Sequence, residues 1–474
     1  IYFFMQYPTD SLLSLTDNPD YVSTKTDSPQ KKSHFQIKRI LIFIMISIVD
    51  MIVFFQRACP TVVTDELANA YDVQVSQLGV FTSMFYIPYS LLQPFAGLLA
   101  DVMEPSFIIG CSTIISSIGA IICGLSQSLF VGCIGRIIVG TGCGLIYSPC
   151  NRIIMNWFPL QHYSKMLGVF LFIAGLGNFL AQTPLTLLAS LIGWRWCFLS
   201  ISFVAIFLAI IMLCFVRGNP VAYGYPPVND NVTANVSDYS IREKASHLVK
   251  NLKTIISNSN FWLIAIYVFF GNGAFYNITG IWGGPYLKET LGYDSVKASN
   301  ALLGLSLGAN FGSLLNPYVL DFTCRSKKWT CFIESLISIF CCIPFGFFPE
   351  KLNFFTVIFL LTVFAITIAG VGTISYPYCV EFFHPSSRAS ALGCLNCFAF
   401  LSLIIFMPLT GRILQHFGTL PDNPDLHHPD GFKYGLWLFN ICCLSIGSLL
   451  FIFVKNPKKS DANIDSVPVY DPVN

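Results

Sequence analysis

The sequence predicts an all-α membrane protein of twelve transmembrane helices, arranged as two six-helix halves. Three observations carry that prediction. Hydrophobic residues make up 54% of the 474 residues and charged ones only 11%, less than half of the roughly 25% found in soluble domains. That deficit excludes a soluble multidomain enzyme and a disordered chain. Apolar runs of about 20 residues, enough to cross a hydrocarbon core of about 30 Å, recur twelve times. Finally, the second six runs repeat motifs of the first six.

The chain starts with a polar tail, residues 1–37, without the pattern of a cleavable signal peptide. The apolar runs then lie at roughly 38–59, 76–100, 107–125, 129–150, 166–190, 196–216, 259–283, 297–320, 329–348, 354–377, 389–414 and 433–454. An even number puts both termini on one side. With the termini inside, Lys and Arg divide 19 inside to 7 outside, so the positive-inside rule makes that side the cytoplasm. The expected organisation is an N-tail (1–37), a first bundle (38–216), a cytoplasmic linker (217–258), a second bundle (259–454) and a C-tail (455–474). The linker opens with Gly218, Pro220, Pro226 and Pro227 and then holds one amphipathic helix ending near Lys253. Sequons at Asn231 and Asn235 fall in it and face the cytoplasm, so they should be unused; a third, at Asn277, lies inside a span. The 17 cysteines sit mostly in apolar runs, where they act as small soft hydrophobes rather than a disulfide framework; Cys394 and Cys397 have no second pair to make a metal site.

The repeat is visible in four places. Gly142-x-Gly144 followed by Pro149 returns as Gly370-x-Gly372 followed by Pro377, at an offset of 228. Leu167-Gly168 and Pro184-Leu185-Thr186 return as Leu392-Gly393 and Pro408-Leu409-Thr410, at 225 and 224, and Pro159 returns as Pro385 at 226. The fourth and fifth runs thus correspond to the tenth and eleventh. Duplicated bundles of this kind hold their solute near the bilayer midplane, between the halves.

Over about 36–455 the chain resembles the major facilitator superfamily of transporters. Gly97-Leu98-Leu99-Ala100-Asp101 matches the start of the family motif between spans two and three, and Arg136, Gly140, Gly142 and Gly144 match its span-four motif. The Trp157-Phe158-Pro159 loop, Gly193-Trp194-Arg195-Trp196 and Gly280-Ile281-Trp282-Gly283-Gly284-Pro285-Tyr286-Leu287 are similar to a bacterial and protist branch. The resemblance implies charge pairs that close the cytoplasmic side. Val102, Pro105 and Ser106 stand where the first motif is basic, whereas the second half keeps Asp321, Arg325, Lys327 and Lys328, with Pro317 in place of the Gly. The second-half loop is therefore expected to hold the gate more than the first.

Ionisable residues inside a bilayer cost about 2.5–3.5 kcal/mol each at a helix centre on insertion scales, so they are paired, buried and usually functional. Asp50 lies ten residues into the first run, about 15 Å deep. Arg57 follows two turns later on the same face, and Arg136 lies in span four, a neighbour of span one in the family. The three can share one patch: a proton or substrate-anion site, or a structural ion pair. Glu334, five residues into span nine and close to the Arg325–Lys328 loop, reads as a gating or structural ion-pair acid. Arg388 reads as a gating residue at a helix end. Uncharged candidates are Asn272, Tyr276 and Thr279 on one face of span seven, Tyr376 on span ten and Gln93 on span two; interhelical hydrogen bonding is the competing use of each.

The functional expectation is a secondary transporter working by alternating access, with no cofactor, no metal and no enzymatic activity. No nucleotide-binding motif and no H-E-x-x-H occurs. The resemblance to the bacterial and protist branch, with two arginines near one cavity, favours a small organic anion such as a carboxylate or phosphorylated metabolite. The alternatives are a proton-coupled amino-acid or short-peptide carrier, with Asp50 as the proton site, and a non-transporting receptor of the same fold. The expected partners are a small molecule, protons as a candidate coupling ion, and the lipid bilayer. The chain is expected to be a monomer, and a net charge of +2 gives no reason to expect nucleic acid. Tyr470-Asp471-Pro472-Val473 resembles an endosomal sorting signal, which leaves plasma and endolysosomal membranes both open.

Overall fold

A computed structural model describes residues 29–61, 63–73, 78–181, 183–229, 241–323, 326–420 and 423–455. Among these, nine helices are long and apolar enough to cross a membrane: α3 (Pro105–Leu125), α4 (Leu129–Trp157), α5 (Leu160–Leu180), α6 (Trp194–Phe215), α7 (Ser259–Thr279), α9 (Lys327–Phe347), α10 (Phe354–Val380), α11 (Pro385–Phe417) and α12 (Pro429–Phe451). Three further long helices, α1 (Pro29–Ala58), α2 (Leu78–Val102) and α8 (Ser295–Phe322), coincide with the remaining apolar runs of the sequence. The linker contains the expected helix, Ile241–Ile256. The only described strands form a small hairpin, Thr419–Leu420 with Asn423–His427, which the sequence did not announce.

The outward faces are apolar: on α6, Phe203, Phe207 and Ile210 are more than half exposed. Contiguous exposed apolar surface of this kind suits lipid and not water. Helices α1 to α6 pack mainly among themselves, as do α7 to α12. The two groups meet where α2 crosses α11 and α5 crosses α8. The repeated glycines make these crossings. A Cβ on Gly393 would strike the backbone of Gln93 and Gly97, and one on Gly168 would strike the backbone of Ser313 and the ring of Pro317. Pro317 thus occupies the place opposite Gly168 that Gly97 occupies opposite Gly393.

Three of the repeated prolines interrupt helices that composition alone reads as straight, whereas Pro408 lies within the continuous α11. Pro149 has no N–H for the Leu145 carbonyl, and α4 is interrupted there, with Leu145 and Ile146 donating three residues back to Gly142 and Cys143. Pro377 does the same to the Thr373 carbonyl, and α10 passes through a π-turn at Val371–Ser375. Ahead of Pro184 the α-helix ends at Leu180, and a separate helix, Thr183–Ile192, follows.

One end of the bundle carries the linker. Trp157 Nε1 donates to the Arg217 carbonyl at 3.1 Å, Asn156 to the Gly218 carbonyl at 2.9 Å, and Asn251 of the linker helix to the Ser386 carbonyl at 2.8 Å. Polar contacts between the two groups of helices gather at this linker end, which is closed.

Candidate functional site

The centre of the bundle holds a polar and aromatic cluster built from both groups of helices. Asp50 and Arg57 come from α1, Tyr86 and Tyr89 from α2 and Tyr147 from α4; Tyr276 comes from α7, Tyr376 from α10, and Asn396 and Phe400 from α11. Arg57 is half-buried. Its guanidinium lies 4.3 Å from the Phe54 ring centre and within electrostatic reach of Tyr276, Tyr86, Tyr89 and Asp50. Tyr86 and Tyr276 are half-buried beside it. Tyr89 meets Phe400 edge-on at 4.7 Å, Tyr276 lies 6.3 Å from Phe400, and Tyr147 lies 6.3 Å from Tyr376, edge to face. The Tyr376 hydroxyl donates to Asn396 Oδ1 at 2.9 Å.

Asp50 is 1% exposed, and its Oδ2 has no hydrogen-bond partner. Arg57 is the basic group that acts on it. Two helical turns, about 10 Å along the axis, separate the two, and among the described residues no ion pair joins Asp50 to a base. The site therefore offers a half-exposed cation, rings from both sides, and an acceptor oxygen left without a donor. A small solute bearing an anionic group could bridge these elements.

Among the described residues Arg136 forms no ion pair with Asp50, but Asp50, Arg57 and Arg136 all lie within electrostatic reach of Cys143, and both arginines within reach of Tyr86. Arg136 is 1% exposed, donates from Nη1 to the Gln56 carbonyl at 2.8 Å and lies 4.8 Å from the Phe85 ring. Its Nε and Nη2 have no partner. Gln56 continues this network, accepting from Cys143 Sγ at 3.3 Å through Oε1. The bond from Arg136 goes to a backbone carbonyl, which points along the helix axis, so Arg136 braces α4 against α1 beside the central cluster.

The α7 face is only partly formed. Asn272, Tyr276 and Thr279 are all half-buried, but Asn272 donates to Val268 O and Thr279 to Phe275 O on their own helix. A π-turn at Asn277–Trp282 alters the spacing that put Thr279 in line. Asn277 is fully buried and donates to Thr410 and Asn440, so its sequon is inaccessible in the fold. Gln93 is fully buried at the α2–α11 crossing with no partner on either side-chain polar atom.

At the linker end, the Asp101 carboxylate accepts from two amides in the turn of α11 that opens at Arg388: Ala389 N at 3.2 Å and Ser390 N at 2.7 Å. It also accepts from the Ser390 hydroxyl and lies 3.5 Å from Arg152, which donates to the Pro385 carbonyl. Asp321 pairs with Lys165 of α5 at 2.7 Å. Lys327 pairs with Glu381, and Lys328 donates to the Val454 carbonyl at 3.1 Å, both within their own half; Arg325 lies outside the described residues. The missing basic tail is thus replaced by helix-terminus amides, and the cross-half load falls on Asp101 and on the Asp321–Lys165 pair. Arg388 donates to the Phe383 carbonyl at 3.2 Å. Burial, followed by the Arg388 and Arg152 guanidiniums, holds the His384 imidazole below its ordinary range. Glu334 forms no ion pair with the basic loop: it is 4% exposed inside the second bundle, with neither oxygen hydrogen-bonded.

The sequence reading did not single out Gln56, Tyr86, Tyr89, Tyr147 and Asn396. A polar residue next to Arg57 in an apolar run was a usable signal for Gln56. The tyrosines had none, because an aromatic residue in a span also reads as packing.

The sequence profile described as Major Facilitator Superfamily matches residues 44–351 and 285–468. A probable hexose phosphate transport protein of Chlamydia trachomatis is 22% identical over 65% of this chain and 70% of its own length. The membrane sensor protein UhpC of Salmonella typhimurium is 23% identical over 65% and 70%. Among solved structures, the Escherichia coli fucose:proton symporter FucP aligns over 88% of this chain and 100% of its own, at a TM-score of 0.65 and 13% identity.

Proposed function

Because the chain belongs to the Major Facilitator Superfamily, and is a multi-pass membrane transporter and not an enzyme, we propose that it carries a small organic anion by alternating access between two six-helix halves. In this reading all twelve long helices span the bilayer, and the halves are residues 38–216 and 259–454. The linker end, with both termini, is cytoplasmic, as the Lys and Arg asymmetry requires. The closed linker end corresponds to a state shut toward the cytoplasm.

One observation carries the substrate class: the half-buried Arg57 guanidinium at the centre, flanked by Tyr86 and Tyr89 from one half and Tyr276 from the other. An arginine fork suits a carboxylate, phosphate or sulfonate, and the rings suit the organic remainder. With Arg136 engaged at Gln56, Arg57 is the arginine that meets the solute. Asp50, without an ion-pair partner, serves as the proton site. An acid buried this way cannot stay ionised unless a charge approaches it, so solute and proton occupancy are linked.

The test is flux in proteoliposomes against a panel of sugar phosphates, carboxylates and sulfonates, with a neutral sugar and a quaternary amine as controls. Anions should be accumulated under a pH gradient. Arg57→Gln should abolish uptake and exchange alike, whereas Asp50→Asn should lose uphill uptake and keep counterflow exchange. Preferential transport of the amine or the neutral sugar would overturn the anion reading. Uphill uptake by Asp50→Asn at the normal rate would remove Asp50 from coupling. Saturable binding of an anion without flux would instead favour a receptor, a reading encouraged by the similarity to a membrane sensor protein.

A further inference from the structure

Glu334 occupies a position that the central cluster does not use. It sits on the inner face of α9, about 10 Å from the helix start at Lys327, and is 4% exposed with both carboxyl oxygens lacking a hydrogen-bond partner. The carboxyl is seated against α10 at Gly370, where any Cβ would coincide with it. Gly370 is also the residue from which the π-turn Val371–Ser375 departs. Below that turn, α10 contributes Tyr376 to the central cluster, and Gly372 within the turn lies beside Leu171 of α5, across the boundary between the halves. The acid therefore backs the flexible point of the helix that touches both the solute site and the other half. π-turns inside α-helices recur at such functional positions.

The surroundings of Glu334 hold no counter-charge. The titratable neighbours on packed elements are Tyr267 of α7 and Cys331 on its own helix. Next to it, α10 brings Gly370 and Thr367, and among the described residues no Lys, Arg or His of α8, α10 or α12 acts on it. Lys327 is engaged by Glu381 at the surface. A polar stripe runs along the buried side of α9, from Lys327 through Thr330 and Cys331 to Glu334 and on to Ser335 and Ser338. Ser338 shares a 2.7 Å hydrogen bond with Thr367 of α10, and Ser335 donates to Tyr267 at 3.2 Å. This stripe links the carboxyl to the linker end. A carboxylate shut from water with neither donor nor cation is too costly to persist, so the group is neutral while the site stays closed.

We propose that Glu334 is a proton-binding site separate from Asp50, loaded from the linker end, whose proton holds α9 and α10 together while that end is closed. Releasing the proton creates a charge that must reach water, which parts α10 from α9 at the π-turn and loosens its contact with α5.

The test uses the full-length protein in nanodiscs and needs no substrate. A difference infrared spectrum should show a neutral-carboxyl C=O band near neutral pH that Glu334→Gln removes and Asp50→Asn leaves in place. A thiol probe on a cysteine introduced at Leu171, in a background lacking reactive native cysteines, should react faster from the linker side as pH rises. In Glu334→Gln, which is permanently neutral, reactivity should stay at the low-pH level. Glu334→Met, similar in length and uncharged, should behave as Gln does and guards against a folding defect specific to the amide. A band unchanged in Glu334→Gln, or identical pH profiles in wild type and both variants, would overturn the proposal. Neither readout depends on transport, so failure of the anion reading leaves this test intact.

Discussion

Removing the Asp101 side chain should open the linker end. In the closed structure this carboxylate is the acceptor for two buried amides at the start of α11, Ala389 N at 3.2 Å and Ser390 N at 2.7 Å, and faces Arg152 at 3.5 Å. Asp101→Ala strands both amides, and a buried donor left unsatisfied costs about 1–3 kcal/mol. When the halves part, water satisfies the same amides, so the cost falls on the closed state alone. Taking about 1.5 kcal/mol for each amide gives about 3 kcal/mol, a shift of roughly a hundredfold toward the open linker end. Asp101→Asn keeps one acceptor oxygen and should shift the balance only about tenfold. The assay is the distance distribution between spin labels on cysteines introduced at Met103 and Phe322, which are exposed, near the linker end and on different halves. A longer-distance population should grow in the order wild type, Asn, Ala. An unchanged distribution in Asp101→Ala would refute the reasoning, and so would a loss of thermal stability without any change in distance.

Asn231 and Asn235 lie outside the described residues, and their cytoplasmic assignment predicts no glycan on either; a glycosidase-sensitive mobility shift mapped to one of them would reverse the topology. Arg136→Lys should lower the melting temperature, because an ammonium cannot keep both the bond to the Gln56 carbonyl and the stacking on Phe85; unchanged melting would show that this tie is not structural. The depressed His384 means that the closed linker end binds a proton less readily than an open one. Its contribution is therefore present above the ordinary histidine value of about 6.5 and is lost as pH falls through the lower, closed-state value. Below about pH 6.5, where Glu334 is already neutral, further acidification should lengthen the Met103–Phe322 distance, and His384→Gln should remove that response.

The sequence by itself determined the membrane class, the positions of the long apolar helices and the repeat, because each is a local property. Span length follows from the thickness of hydrocarbon to be crossed, and the repeated glycines and prolines are read directly from the chain. Gly97, Asp101, Gly168 and Gly393 were legible for the same reason: a residue without a Cβ, or a carboxylate at a helix end, has few alternative uses. Tertiary structure alone decided which polar groups meet. Asp50, Arg57 and Arg136 looked like one patch by depth, and all three reach Cys143, yet depth does not say which group pairs with which: Arg136 is tied to the Gln56 carbonyl, and among the described residues no ion pair joins either arginine to Asp50. Glu334 looked like the partner of a basic loop by sequence distance, yet its face of α9 turns inward to Gly370, away from charge. The prolines at 149 and 377 marked a repeat in the sequence, and the fold shows each as an interruption, because a missing N–H frees a carbonyl wherever a proline follows it by one helical turn. Span positions need only the composition of one segment, whereas contacts between spans depend on the phase of every helix at once, and that is set by packing.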